Sequence, residues 1–229
     1  MSEPAPHIGT LREGPLHASL KRWYAELEDG VEVPMDGFVI DLVRGDLLIE
    51  VQTRGFSSMK RKVTHLLERG HRVRIVHPIP ANKWIVKVSA DGEILDRRRS
   101  PKHGDQTDIF SELVSFPNLL TDPNLEIDII ITEEEELRRH TPNRAWRRKG
   151  WMVEERRLLD VIDTLLIGDT DDLVGLLPAG LADSFTTADL ATELGRPRRV
   201  AQQMAYCLRV AEIIVAVGKR GNAVEYRLR

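Results

Sequence analysis

A single cysteine, Cys207, stands in a chain of 229 residues. No disulfide can form within one molecule, which suits a reducing compartment. Cys207 sits in an apolar helical stretch, where a core role is expected. Long apolar runs are also missing. The best, Leu125–Ile131, is interrupted by Glu126 and Asp128, and a membrane helix needs roughly 18 apolar residues. The opening MSEPAPHIGT lacks the charged-then-apolar order of a secretory signal. A cytoplasmic protein with no membrane partner is therefore expected. Neither a GxxxxGK[ST] nor a Gly-x-Gly-x-x-Gly loop occurs, which argues against a nucleotide-fuelled enzyme. Ser57 and Ser58 have no GxSxG elbow around them. His65, His71 and His77 lack the tight spacing of a zinc cage, and one cysteine cannot complete it.

What remains is an ordinary globular composition, 41% hydrophobic and 30% charged, long enough for one large domain or two small ones. The net charge of −3 is unevenly spread. Gly195–Arg229 carries eight Lys/Arg against two acids, a balance of +6 that leaves −9 on the rest. A basic end on an acidic chain suggests a local anion-binding face.

Periodicity divides the chain. Residues 1–15, rich in proline and glycine, read as a flexible lead. His17–Leu27 has helical spacing and stops at Asp29-Gly30. Phe38–Val43 and Leu47–Gln52 alternate with period two about a turn at Arg44-Gly45, which predicts a β-hairpin. A helix over Ser57–Glu68 and a strand over His71–Val76 follow, then the breaker HPIP and a strand over Trp84–Val88. Beyond a polar loop at 96–108 and a short helix at Phe110–Leu113, Leu125–Ile131 reads as a strand. Glu133–Arg139 offers Glu134–Arg138 and Glu135–Arg139 pairs at helical spacing, and so predicts a helix. Residues 141–152 form a basic linker candidate, and Met152–Ile167 reads as a further helix. Strands alternating with helices give an α/β class.

With Val43 facing Asp46 across the hairpin turn, Asp41, Glu50 and Gln52 share one face, with the two carboxylates diagonal. Phe38, Ile40, Leu42, Leu47, Ile49 and Val51 make the other, wholly apolar face. Two carboxylates among β-branched residues are costly to bury without a cation. Mg²⁺, which takes one or two carboxylates plus water and phosphate oxygens, would serve. Asp36 is the rival first acid, but regular alternation puts it on the opposite face.

The order helix, hairpin carrying Asp then Glu-x-Gln, helix, strand resembles the PD-(D/E)xK nuclease superfamily over about residues 16–90, on Asp41 and the triplet Glu50-Val51-Gln52. The resemblance implies a restriction-endonuclease-like mixed sheet flanked by helices over 16–140. It also implies phosphodiester hydrolysis with Mg²⁺ or Mn²⁺, held by Asp41 and Glu50 as catalytic metal ligands. A further acid from the first helix would be Glu26 or Glu28. Gln52 stands where the family has lysine, and carries hydrogen-bonding groups but no charge. Lys60 or Lys62 on the next helix is the candidate for a migrated lysine.

FTTADLATELG-RPRRVAQQMAYCLRV has helix-turn-helix logic. Thr187–Leu194 and Arg198–Val210 are helices parted by Gly195-Arg196-Pro197. Val200, Met204, Cys207 and Leu208 make a buried stripe, which leaves Arg198, Arg199, Gln202 and Gln203 outside. Strands at Ile213–Gly218 and Ala223–Leu228 flank a basic turn with Lys219 and Arg220. Residues 153–229 thus resemble a winged helix-turn-helix domain, for which arginine and glutamine are the side chains that read base edges and hold phosphates. The combined expectation is a metal-dependent DNA endonuclease, with a homodimer as the arrangement that would let two sites cut both strands. Its alternative is a catalytically inactive nuclease-fold DNA-binding protein or regulator.

Overall fold

The computed structural model describes residues 13–141 and 150–229. Most of the expected lead, residues 1–12, and most of the expected linker, residues 142–149, lie outside them. The architecture is a large mixed sheet flanked by helices, followed by a helical unit with its own small sheet.

Helix α1 (Pro15–Tyr24) leads into a three-stranded antiparallel run, β1 (Gly30–Met35), β2 (Phe38–Arg44) and β3 (Leu47–Val51). β1 was not expected. Asp36-Gly37 makes its turn, with φ of +49° and +81°, the signature of a two-residue hairpin. Pro34 is tolerated because β1 is the sheet's edge. Helix α2 (Lys60–Glu68) crosses to β4 (Arg72–Val88), which runs parallel to β3. β5 (Ile94–Arg99) folds back on β4. After the short α3 (Phe110–Leu113), β6 (Leu125–His140) lies parallel to β4, and β7 (Trp151–Ile167) returns antiparallel along β6. The order is β1-β2-β3-β4-β6-β7.

Two expected helices are strands. In β6, Thr132 and Glu134 are fully buried and Glu136 is buried, while the residues between them are less so. That is period two, enforced by pairing with β4 on one edge and β7 on the other. Glu134 meets Arg156 of β7 rather than Arg138, through contacts of 2.7, 2.9 and 3.0 Å. The residues expected to form a helix over 152–167 constitute β7, whose Leu158 and Val161 pack toward α1. The unit assigned to 16–140 therefore continues to Ile167. The expected linker interrupts a strand pair: Thr141 N donates to Gly150 O at 2.8 Å, and His140 faces Trp151.

HPIP does not break β4 either. β3 pairs with β4 only as far as Val76, and β5 begins at Trp84. Among the described residues no strand faces His77–Lys83 on that edge, so Pro78 and Pro80 leave no ladder donor missing.

Helices cover both faces. Leu16 and Leu20 of α1 pack with Leu42, Ile49, Val51, Val76 and Ile130. The larger core joins α2, α3, Ile40, Leu48, Ile75 and Ile127 to Met204, Cys207 and Leu208. Those last three come from the C-terminal unit: α4 (Thr170–Gly175), β8 (Phe185–Thr186), α5 (Thr187–Leu194), α6 (Arg198–Val210), β9 (Ile214–Arg220) and β10 (Ala223–Leu228). Its strands are ordered β8-β10-β9. Thr186 caps α5 in a capping box with Asp189, and Gly195 closes it at φ +62°. Cys207 is fully buried, its thiol pushed up to about 12 by burial, so it is an inert core residue. Among the described residues no helix is long and apolar enough to cross a membrane.

Candidate active site

Asp41 and Glu50 are brought together, in a different register from the one expected. The hairpin turns at Gly45-Asp46 rather than Arg44-Gly45, and Val43 faces Leu48. The ladder ends at Leu42–Ile49, and beyond it the Asp41 backbone N–H donates to the Glu50 carboxylate. The face beside Glu50 is buried too, since Leu48 and Ile40 lie in the α2-side core. Ile40 belongs to that core while Leu42 belongs to the α1-side core. Alternation therefore slips at Asp41, next to Glu32 of β1, whose φ is +53°.

The two carboxylates differ in charge. Asp41 Oδ2 accepts from Val51 N at 2.9 Å and lies 3.3 Å from His17 Nε2. Burial pushes its pKa upward, but the His17 contact, the Val51 N–H and the Lys62 charge outweigh it and hold Asp41 below its ordinary value. Glu50 is 8% exposed. Burial, reinforced by Asp41, raises its pKa to about 7 against the opposing pull of Lys62. Lys62 Nζ stands 2.5 Å from Glu50 Oε1 as an ion pair and donates to Val39 O at 2.5 Å. Lys62 is thus the cation that partners the buried Glu50 carboxylate, and the Asp41 backbone N–H also donates to that carboxylate.

Of the other expected residues, Lys62 reaches the site and Lys60 is solvent-exposed on α2. Gln52 lines a pocket with Asp41, but its amide is turned aside, donating to Gly55 O at 3.0 Å and Ser58 Oγ at 2.9 Å. Glu26 is not at the site: it lies past the end of α1, exposed and paired with Arg44 at 2.7 Å. α1 stops at Tyr24, and Leu27 is exposed. Asp36 is in the hairpin turn, 3.0 Å from His71. His77 is buried and edge-on to Phe56 at 5.0 Å. Burial lowers its pKa, and its Nδ1 sits 2.5 Å from Gln52 O.

The acid beside Asp41 comes instead from ahead of α1. Glu13 contacts His17 at 2.6 Å and Lys21 at 2.8 Å, and Lys21 reaches Glu32 at 2.9 Å. The spacing 13, 17, 21 is one helical face; the signal was present but fell within residues read as a lead. This network lines a pocket of about 620 Å³ with Asp41, Gln52 and Arg156. Among the described residues no three His, Cys, Asp or Glu groups converge on one point. Asp41 and Glu50 are near enough for the Asp41 charge to act on Glu50, and two neighbouring carboxylates suit a divalent cation that completes its shell with water and phosphate oxygens.

On the C-terminal unit, Arg198, Arg199 and Gln202 are exposed on α6, with Gln203 half-buried. Lys219 and Arg220 are exposed, but Arg220 is paired with Asp189 at 2.8 Å and Glu225 at 2.7 Å. Arg196 clamps the α5–α6 turn onto the front unit through Asp108, Asp105 at 3.3 Å and His103 O at 3.1 Å.

The matched family ends where the large sheet does. The chain belongs to the DUF8091 family, a domain of unknown function, which matches residues 14–168. An uncharacterized protein of Treponema pallidum (strain Nichols) is 29% identical over 222 residues, covering 96% of this chain and 87% of that one. The likeness therefore extends through the C-terminal unit as well. No solved structure matches significantly.

Proposed function

We propose that this protein is a metal-dependent nuclease acting on DNA, with the C-terminal unit serving as a winged-helix DNA-binding element. The observation that carries the reading is the nearness of Asp41 and Glu50 on neighbouring strands, with the Lys62 ammonium 2.5 Å from Glu50. Asp41 and Glu50 are the residues that would hold Mg²⁺ or Mn²⁺. Bound there, the ion supplies an activated water and offsets charge developing on the phosphodiester. Lys62 takes the part left open by Gln52, giving a positive charge beside the carboxylates. His17 orients Asp41, and Glu13 in turn orients His17. The order β8-α5-α6-β9-β10 supports the winged-helix reading, with Arg198, Arg199 and Gln202 outward on α6.

Supercoiled plasmid incubated with Mg²⁺, Mn²⁺ or EDTA tests this. The wild type should nick in metal alone, and Asp41→Ala should lose nicking while still shifting a DNA duplex. Equal nicking by Asp41→Ala would overturn the assignment. The Gln52 amide, turned toward Gly55 and Ser58, favours a second reading: a DNA-binding regulator on an inactive nuclease fold. That reading is the one left standing if the wild type binds DNA but nicks it in no metal.

A further inference from the structure

A second, larger depression lies beside the Asp41 pocket. It is a groove of about 990 Å³ that shares Thr53, Arg54 and Arg156 with it. It opens along the edge of β4 that no strand covers among the described residues, between the end of β3 and the start of β5. One wall is β5 and the turn after it; the other is the α5–α6 turn that Arg196 clamps in position.

The cations lining this groove fall into two sets. Arg156 is engaged by Glu134, Arg196 by Asp105 and Asp108, and Lys83 and Arg138 by Glu136. Arg54, Arg98 and Lys102 are exposed and have no carboxylate partner among the described residues. Arg54 stands at the junction with the Asp41 pocket, Arg98 on β5 and Lys102 on the turn beyond. Among the described residues the lining contains no Phe, Tyr or Trp. Proteins that hold nucleic acid by its bases commonly offer aromatic rings for stacking, whereas phosphate contacts need only cations and N–H groups.

We infer that this groove carries the phosphate backbone of a nucleic acid past the Asp41–Glu50 site, with Arg54, Arg98 and Lys102 as its sequence-independent contacts. The inference rests on the nuclease reading for its direction, but its charge argument stands separately. The C-terminal unit then acts as a fixed wall of the substrate channel as well as a binding element.

The test is binding of the full chain to a fluorescein-labelled duplex of about 30 base pairs, by anisotropy in EDTA from about 50 to 200 mM salt. Two duplexes of unrelated sequence and the corresponding single strands serve as probes. Wild type should bind both sequences alike. The triple variant Arg54→Ala/Arg98→Ala/Lys102→Ala should bind about tenfold or more weakly at low salt. Its slope of log affinity against log salt should be shallower by about 2 to 3, at about 0.9 per lost duplex contact and 0.7 per single-strand contact. All three side chains are exposed, so the far-UV spectrum should be unchanged. A slope equal to wild type, strong sequence preference lost with the three cations, or no salt-sensitive binding by wild type would each overturn the groove. Plasmid nicking run in parallel separates the two readings. Nicking with an unaltered slope removes the groove and leaves the nuclease; a reduced slope without nicking in any metal removes the nuclease and leaves the groove.

Discussion

Changing Glu50 to glutamine keeps the side chain's shape while removing its ability to ionise. In the folded protein burial lifts Glu50 from 4.5 to about 7. The folded state therefore binds the proton more tightly than the unfolded chain does. Stability from this group is present below about pH 4.5 and is lost as the pH rises through about 7. At 1.36 kcal/mol per unit, the loss is about 3 kcal/mol. Glu50→Gln has no such loss. Urea unfolding of both proteins in EDTA, at about pH 5 and pH 8, should show the variant gaining on wild type by about 2.5 kcal/mol across the window, since part of the loss has already occurred by pH 5. Adding Mg²⁺ at the upper pH should raise the wild-type midpoint, because a ligand bound only by the folded state stabilises it, and should leave the variant unmoved. A wild-type-minus-variant difference that stays flat with pH would refute the electrostatic reasoning. A midpoint raised equally in both would refute the metal assignment.

Two further outcomes follow from specific contacts. Arg156→Ala strands the fully buried Glu134 and should cost about 3 to 5 kcal/mol in urea unfolding; the Glu134→Met/Arg156→Met pair should recover most of it, and no recovery would argue against the buried-charge explanation. Lys62→Ala should abolish plasmid nicking without weakening duplex binding, whereas Lys60→Ala, on an exposed lysine, should cut at the wild-type rate; equal effects of the two would remove the migrated-lysine role.

Local pattern was sufficient where one short element decided the structure. The β2–β3 hairpin, the amphipathic α2, and the capped α5 with Gly195 before α6 are all written into a few adjacent residues, although the hairpin's register and the slip at Asp41 were not. Asp36-Gly37 is an equally strong two-residue turn signal, and it is this turn that sets β1 against β2. Glu133–Arg139 failed for a different reason. Its i,i+4 charge pairs suit a helix, but a segment with sheet partners on both edges gains more from ladder bonds and from the Glu134–Arg156 contact than from exposed ion pairs. Its period-two burial exists only because Arg156, twenty-two positions on, is its neighbour.

By itself, then, the sequence determined an α/β protein without disulfides, the two carboxylates on paired strands, and a basic C-terminal end. Each of these depends on composition or on neighbours in the chain. Tertiary structure alone decided that Lys62 rather than Lys60 meets Glu50, that Glu13 and His17 rather than Glu26 support Asp41, and that the gap between β3 and β5 opens a groove against the α5–α6 turn. Those relations join residues from separate elements, and only the packing of the two cores fixes which of several equally spaced side chains comes within reach.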